Sequence, residues 1–199
     1  MAKQKLPPVL LWGSIGVFIM AVIALFVIWQ ANRSRADIPV YGKVPQFEFV
    51  TQNSNSFGRN NLNGKITVLD FFFTNCQGPC PIMSTKMGWL YDQYSDAPNV
   101  QFVSVSVDPA RDSLAALQAY AKQQGVTDNR WVFLHGDLKD VENLSVQGFK
   151  LGGNFPMGHS TRFVLIDEQG RIRGYYTGTD DASIDVLKTH LNQLIKQRS

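Results

Sequence analysis

The chain holds two cysteines, and both lie in one short segment that reads FTNCQGPCP over residues 73–81. Gly78 and Pro79, which lie between Cys76 and Cys80, can bend the loop so that the two sulfur atoms converge. Thiols at that separation can close a disulfide or hold one soft metal ion. Two unrelated core cysteines are the alternative, because free cysteine is often buried. The concentration of both cysteines in one segment favours a chemical role.

The same segment predicts where a helix begins. Proline is typical of the first helical position, so Pro81 predicts that Cys80 is the N-cap residue. Amide groups at a helix N-terminus carry partial positive charge, which favours a thiolate over a thiol. We therefore expect lowered pKa values for both Cys76 and Cys80.

Alternating strands and helices must position this segment. Residues 65–73 form an almost continuous apolar run, which predicts a strand covered on both faces of a sheet. The whole pattern predicts an α/β sandwich that ends in a β-hairpin and a helix. Predicted strands cover 46–50, 65–73, 100–107, 131–134, 161–166 and 171–176, and predicted helices cover 81–94, 112–124, 138–149 and 184–195, with Asp112 or Ser113 capping the second helix.

A third ligand would complete a metal site. Soft thiolates select Cu(I), and one nitrogen ligand would give a three-coordinate site that also accepts Cu(II). Of the three histidines, His159 lies in the loop before the strand 161–166, and in a thioredoxin-like arrangement that loop lies beside the first helix. His159 is therefore the predicted third ligand. His135, at a strand end, is the fallback, and His190 is expected to face solvent.

An uncharged apolar run opens the chain. No charged residue occurs between Leu6 and Asn32, and residues 7–29 are long enough to cross a bilayer as one helix. A cleaved signal peptide would have a shorter apolar core and a small-x-small cleavage site. We expect an N-terminal transmembrane anchor over 1–32, a tether over 33–44 and one folded domain over 45–199. Basic residues flank the run on both sides, so charge alone does not orient it.

Composition excludes several classes of protein. Four of the 19 Lys and Arg residues and one of the 16 Asp and Glu residues precede residue 38, so the remainder holds 15 of each and is formally neutral. A nucleic-acid binder needs a basic footprint, so we expect no nucleic-acid partner. Two cysteines are too few for a disulfide scaffold or a four-cysteine metal site.

Three motifs in order resemble the Sco (SenC/PrrC) family of copper-handling proteins for cytochrome c oxidase assembly. They are the segment 73–81, the stretch VSVDPARD over 105–112, and HS at 159–160 followed by FVLID over 163–167. The resemblance covers residues 45–197. It implies a thioredoxin-like fold, with a central mixed sheet and helices on both faces, and copper bound by Cys76, Cys80 and His159.

The resemblance also implies partners and a location. Copper would pass to the binuclear centre of the copper-bearing oxidase subunit, and other copper chaperones or thioredoxin-like reductants are further candidate partners. The chain lacks an Arg- and Ser-rich transit peptide, which favours a bacterial inner (cytoplasmic) membrane with a single pass and the C-terminal domain in the periplasm.

The sequence departs from the family pattern at two positions. Gly158 stands where an acidic residue often precedes the histidine, and His135 stands where threonine is common. The first departure removes one carboxylate that could orient the imidazole. Among other nearby residues, Met83, Met87 and Met157 are interpreted as core rather than as ligands, Lys86 as surface, Trp89 as core, and Arg111 as the partner of a carboxylate.

Three functions share these residues. The first is a copper chaperone. The second is a thiol-disulfide oxidoreductase that uses Cys76 and Cys80 to reduce the copper-ligand cysteines of the oxidase. The third is a peroxide-reducing thiol enzyme of the peroxiredoxin or glutathione-peroxidase kind. It is disfavoured because Cys76 lacks the usual Pro-x-x-x-Thr-x-x-Cys motif. We expect the chaperone to be the primary role.

Overall fold

The computed structural model describes residues 16–27, 38–152, 155 and 160–198, and the chain divides into the units Met1–Asp37 and Ile38–Ser199. In the first unit, residues 16–27 form helix α1. Within the described residues, none of the helices combines the length and the hydropathy of a membrane span. The other parts of the predicted span, 7–15 and 28–29, lie outside the described residues.

The described residues of the second unit form one mixed sheet of eight strands. The strands are β1 (Gly42–Lys43), β2 (Glu48–Thr51), β3 (Ser56–Gly58), β4 (Ile66–Phe72), β5 (Val100–Ser106), β6 (Trp131–His135), β7 (Arg162–Ile166) and β8 (Arg171–Thr177). Their order in the sheet is β1-β8-β7-β4-β5-β6-β2-β3, in which β4, β5 and β6 are parallel neighbours and the remaining pairings are antiparallel. The helices are α2 (Cys80–Gln93), α3 (Leu114–Gln123), α4 (Leu138–Asn143) and α5 (Asp181–Arg198).

Helices cover both faces of the sheet. Phe71 and Phe72 are adjacent on β4, so their side chains point to opposite faces. The Phe72 ring packs against Tyr120 of α3, and Tyr120 bonds Ser84 of α2, so these two helices share one face. Phe71 packs on Phe149, which follows α4, on the other face. The predicted thioredoxin-like α/β architecture is confirmed.

Several predicted elements change in detail. The central strands β4 and β5 are buried along their full length, as the apolar run predicts. The predicted helical stretch 138–149 is confirmed, as α4 over Leu138–Asn143 followed directly by one π-helical turn over Leu144–Gly148. The sequence also missed two short edge strands, β1 and β3, whose two and three residues are too few for a periodic pattern.

The segment 38–44, predicted as tether, lies within the second unit. Ile38 and Val44 are buried, and β1 between them pairs with β8. The guanidinium of Arg173 on β8 donates to the carbonyl oxygens of Ile38 at 2.5 Å and Pro39 at 3.2 Å. The folded unit therefore begins against β8.

Candidate metal and redox site

The two cysteines lie where β4 gives way to α2. Cys76 is in the connecting loop, where its amide donates to the Phe73 carbonyl at 3.4 Å, and Cys80 is the first residue of α2. The predicted cap is wrong by one residue. Pro79 is the N-cap, with a φ of −76° that its ring fixes, and Cys80 and Pro81 are the first two helical residues.

The two thiols are hydrogen-bonded to each other, and no disulfide joins them. Cys80 is 1% exposed, whereas Cys76 is half-buried in the loop. The pKa of the Cys80 thiol is raised to about 12, chiefly by burial and then by its hydrogen bond with Cys76, whereas a hydrogen bond with the Phe73 backbone lowers it. The predicted lowering of the Cys80 pKa is therefore wrong, because desolvation of the thiolate outweighs the helix N-terminus.

A buried carboxyl group lies beneath the thiols. Asp70 is on β4, 1% exposed, and is hydrogen-bonded to Ser104, its neighbour on β5. Ser104 also accepts a bond from the indole nitrogen of Trp131 at 3.0 Å. Burial raises the pKa of Asp70 to about 7, and the charge of Asp70 in turn raises the pKa of Cys80. Sequence reasoning missed Asp70, although it is the only charged residue within β4.

A second pair of polar side chains lies near Asp70 and the two thiols. The hydroxyl groups of Ser84 on α2 and Tyr120 on α3 lie 2.8 Å apart. The pKa of Tyr120 is raised to about 12, chiefly by burial and also by the charges of Asp70 and both cysteines, whereas the hydrogen bond with Ser84 lowers it. Burial and the neighbouring acidic groups thus disfavour any added negative charge near the thiols.

Asp112 connects the cysteine loop to the neighbouring strand. It is 1% exposed and accepts hydrogen bonds from the Thr74 amide at 3.2 Å, from the Thr74 hydroxyl at 2.5 Å and from the Ser106 hydroxyl at 2.5 Å. Of the two predicted caps of α3, the structure selects Ser113, whose hydroxyl accepts from the Ala116 amide at 3.3 Å. Asp112 is therefore free to hold the loop that precedes Cys76.

The histidines occupy three different positions. His159 lies outside the described residues, as does Met157, so the predicted third ligand stays a prediction. His135 ends β6 as predicted, and its Nδ1 lies 3.0 Å from the Asp112 carbonyl oxygen. His190 does not simply face solvent, because its Nδ1 lies 2.7 Å from the Tyr176 hydroxyl and burial lowers its pKa. Within the described part of the chain, no group of three or more His, Cys, Asp or Glu side chains could hold a metal ion.

The chain entering β7 runs close to the start of α2. The antiparallel register of β4 and β7 pairs Leu69 with Val164, so the start of β7 lies at the end of β4 that leads to Cys76. A Cβ atom built on Gly178 would lie 3.0 Å from the Met83 side chain and 3.2 Å from the Thr161 carbonyl oxygen. Met83 is one helical turn after Cys80, and Thr161 is two residues after His159.

Other side chains near α2 correct or confirm single expectations. Met83 and Met87 are buried, as expected of core residues, and Arg111 pairs with Asp108 at 2.6 Å. Trp89 is 45% exposed, so its interpretation as core is wrong, and Lys188 of α5 lies over its ring. Lys86 is largely covered and pairs with Asp181 at 2.7 Å, which corrects its interpretation as plain surface.

Comparison with known proteins identifies the family. The family model SCO1/SenC matches residues 39–196. The chain belongs to the SCO1/SenC family. Among curated relatives of this Sco-family chain, the SCO1 protein homolog of Bacillus subtilis is 28% identical over 74% of this chain and 80% of its own length. Mitochondrial SCO1 of Saccharomyces cerevisiae is 30% identical over 71% of this chain and 50% of its own length.

Solved structures resemble the second unit of this Sco-family chain. A SCO1/SenC family lipoprotein from Bacillus anthracis gives a TM-score of 0.72 at 33% identity and covers 78% of this chain and 96% of its own. BsSco gives a TM-score of 0.70 at 26% identity and covers 78% of this chain and 95% of its own. BsSco is a member of the Sco family of cytochrome c oxidase assembly proteins in which a disulfide switch has been identified. Yeast Sco1 with copper bound gives 0.62 at 24% identity, with 76% and 89% covered, which is a likeness of fold.

Proposed function

We propose that this protein is a membrane-anchored copper chaperone. Cys76, Cys80 and His159 would bind copper, as Cu(I) or Cu(II), and deliver it to the binuclear copper site of a cytochrome c oxidase subunit. The family supports this proposal, because yeast Sco1 has been crystallised with copper bound and BsSco belongs to a family of oxidase assembly proteins. Other copper chaperones or thioredoxin-like reductants would be partners that load or reduce the site.

The contact between the two thiols is the observation that carries the proposal. Two sulfur ligands in one short loop, one of them on a fixed helical residue, suit a soft monovalent ion such as Cu(I). Support for His159 is indirect: Thr161, two residues later, lies near Gly178 together with Met83 of α2. An imidazole delivered there would provide the harder ligand that Cu(II) prefers.

Unequal exposure of the two cysteines suggests a direction for transfer. Cys80 is buried, whereas Cys76 is half-buried and is followed by exposed Gln77 and Gly78. A ligand from a client protein would therefore approach copper on the Cys76 side. Copper would be shared between donor and acceptor ligands, and Cys80 would be the last to release it.

Ligand substitution tests the chaperone proposal. Cys76→Ser and Cys80→Ser should each abolish tight Cu(I) binding, and His159→Ala should weaken Cu(II) binding more than Cu(I) binding. His190→Gln is the matched control, since His190 is bonded to Tyr176. Equal Cu(II) affinity in wild type and His159→Ala would remove His159 from the site, and a loss in His135→Gln instead would transfer that role to His135.

The thiols also favour a second function, a thiol-disulfide reductase for the copper-ligand cysteines of the oxidase. Half-buried Cys76 would attack the client disulfide as a thiolate, forming a mixed disulfide and releasing one client thiolate. Cys80 would then attack Cys76, releasing the second client thiolate and leaving a Cys76–Cys80 disulfide. The disulfide switch identified in BsSco supports this reading.

Activity without metal separates the two functions. The metal-free dithiol protein should reduce an oxidised peptide that carries the two client cysteines, with one disulfide formed for each one reduced. In a cellular oxidase assembly assay, full activity of His159→Ala alongside inactive cysteine variants would make redox chemistry primary. Loss of assembly in His159→Ala would make copper delivery primary.

A membrane anchor over 1–32 completes the proposal, in which a single span holds the domain at the periplasmic side of a bacterial inner membrane. Because 38–44 belong to the folded unit, the tether between them shortens to 33–37. The uncharged run from Leu6 to Asn32 supports this location. So does the relative from B. anthracis, which is a lipoprotein. The full chain should stay with membranes after alkaline extraction, and release into the soluble fraction would contradict an anchor.

A further inference from the structure

The loop before Cys76 is held by a carboxylate from a distant part of the chain. Asp112 lies between β5 and α3, yet its side chain accepts both the amide and the hydroxyl hydrogen of Thr74. The distances are 3.2 Å to the amide nitrogen and 2.5 Å to the hydroxyl oxygen. Hydrogen bonds to a carboxylate are shorter and stronger than those between neutral groups, so Asp112 holds Thr74 firmly.

Three hydrogen bonds hold Asp112 itself in place. The Ser106 hydroxyl, at the end of β5, donates to its carboxylate at 2.5 Å, and its amide donates to the Asp108 carbonyl at 2.9 Å. The ring of His135, at the end of β6, bonds its carbonyl oxygen at 3.0 Å. Asp112 is thus fixed to the carboxyl-terminal ends of β5 and β6, and its carboxylate holds Thr74 against them.

We infer that Asp112 is a positioning residue that sets the separation of the two sulfur atoms and so favours the dithiol over the disulfide. A disulfide requires sulfur atoms about 2.05 Å apart, much closer than two hydrogen-bonded thiols. Cys80 is buried at the start of α2 and Cys76 lies in the loop, so the movement that closes a disulfide falls on Cys76 and its loop. The bonds between Asp112 and Thr74 oppose that movement. The inference rests on the proposed function only in taking the two thiols as the working groups.

Substitution of Thr74 tests this inference without disturbing the buried carboxylate. Thr74→Val removes the hydroxyl at nearly constant volume, and Thr74→Ser keeps it. The metal-free protein is equilibrated with reduced and oxidised dithiothreitol, so that each protein disulfide formed converts one oxidised dithiothreitol to its dithiol. We expect Thr74→Val to shift this equilibrium roughly tenfold toward the protein disulfide, about 30 mV for a two-electron couple, with Thr74→Ser near wild type.

Thr85→Val is the matched control, because the Thr85 hydroxyl bonds only the Pro81 carbonyl in the same helix at 2.9 Å. It should leave the equilibrium unchanged. Thr74→Ala, which removes the hydroxyl without adding volume, should repeat the shift and covers the case in which valine perturbs folding. A wild-type equilibrium in both Thr74→Val and Thr74→Ala, a shift toward the dithiol, or an equal shift in Thr74→Ser or Thr85→Val would overturn the inference.

A copper titration of the same variants separates this inference from the proposed function. The equilibrium with dithiothreitol contains no metal, so failure of wild type to bind copper would refute the chaperone and leave the positioning role of Asp112 intact. Copper binding by wild type together with an unshifted Thr74→Val equilibrium would refute the positioning role alone.

Discussion

Asp70 should make the protein less stable as the pH rises. Its side chain is fully enclosed on β4, and burial raises its pKa from 3.8 to about 7. Because the folded state holds this proton more tightly than the unfolded state, unfolding releases a proton between those two pH values. The free energy of unfolding therefore falls as the pH rises through that window, and the loss is complete above about pH 7.

The size of the effect follows from the shift. One pKa unit corresponds to about 1.4 kcal/mol, so the displacement of Asp70 corresponds to about 4 kcal/mol between about pH 4 and pH 8. Asp70→Asn cannot titrate and should show none of this dependence. A buried amide that lacks a partner costs about 1–3 kcal/mol, but that cost is the same at every pH. The change of the unfolding free energy with pH, rather than its absolute value, therefore reports the contribution of the Asp70 carboxyl group.

Urea unfolding of the reduced, metal-free protein over this pH range gives the measurement. The difference in unfolding free energy between Asp70→Asn and wild type should grow by about 4 kcal/mol in favour of the variant as the pH rises. Asp128→Asn is the matched control. Burial raises the pKa of Asp128, but hydrogen bonds from Arg130 outweigh it and the pKa is lowered, so Asp128 does not titrate in this window. Parallel curves for wild type and Asp70→Asn would refute the reasoning.

Two further predictions concern stability. Arg173→Met should lower the free energy of unfolding in urea at neutral pH by about 3–5 kcal/mol, because the buried Asp167 carboxylate loses an ion-pair partner at 2.9 Å. Arg171→Met, at the more exposed partner of Asp167, should lower it by under about 1 kcal/mol. Equal losses in the two variants would contradict this prediction. Gly136→Ala should lower the free energy of unfolding by about 1–3 kcal/mol, because the added Cβ atom would overlap the Phe49 ring. Gly88→Ala, where the added Cβ atom meets only ordinary contacts in a helix, should be neutral or stabilising. A thermal melt that shows no loss of stability for Gly136→Ala would contradict the packing of Gly136 against Phe49.

Residues near the cysteines show how far local patterns extend. The strand 66–72, the helix after it and the two thiols could be predicted because apolar runs and proline act over a few residues. The raised pKa of Cys80 could not be predicted from the sequence, because it depends on how far the first turn of α2 is buried in the domain. The cap of α3 shows the same limit: Asp112 and Ser113 are equally good caps in sequence, and only the position of Thr74 separates them.

The sequence by itself determined the order of the longer strands and helices, the placement of Cys76 and Cys80 in one segment, and the family, since each depends on residues close together in the chain. Tertiary structure alone decided that Asp70 lies under the thiols, that Asp112 holds Thr74, and that desolvation governs Cys80. Those outcomes depend on parallel pairing of β4 with β5, which brings together side chains more than thirty residues apart. Burial and hydrogen bonding across that distance are properties of the packed sheet, and no local pattern encodes them.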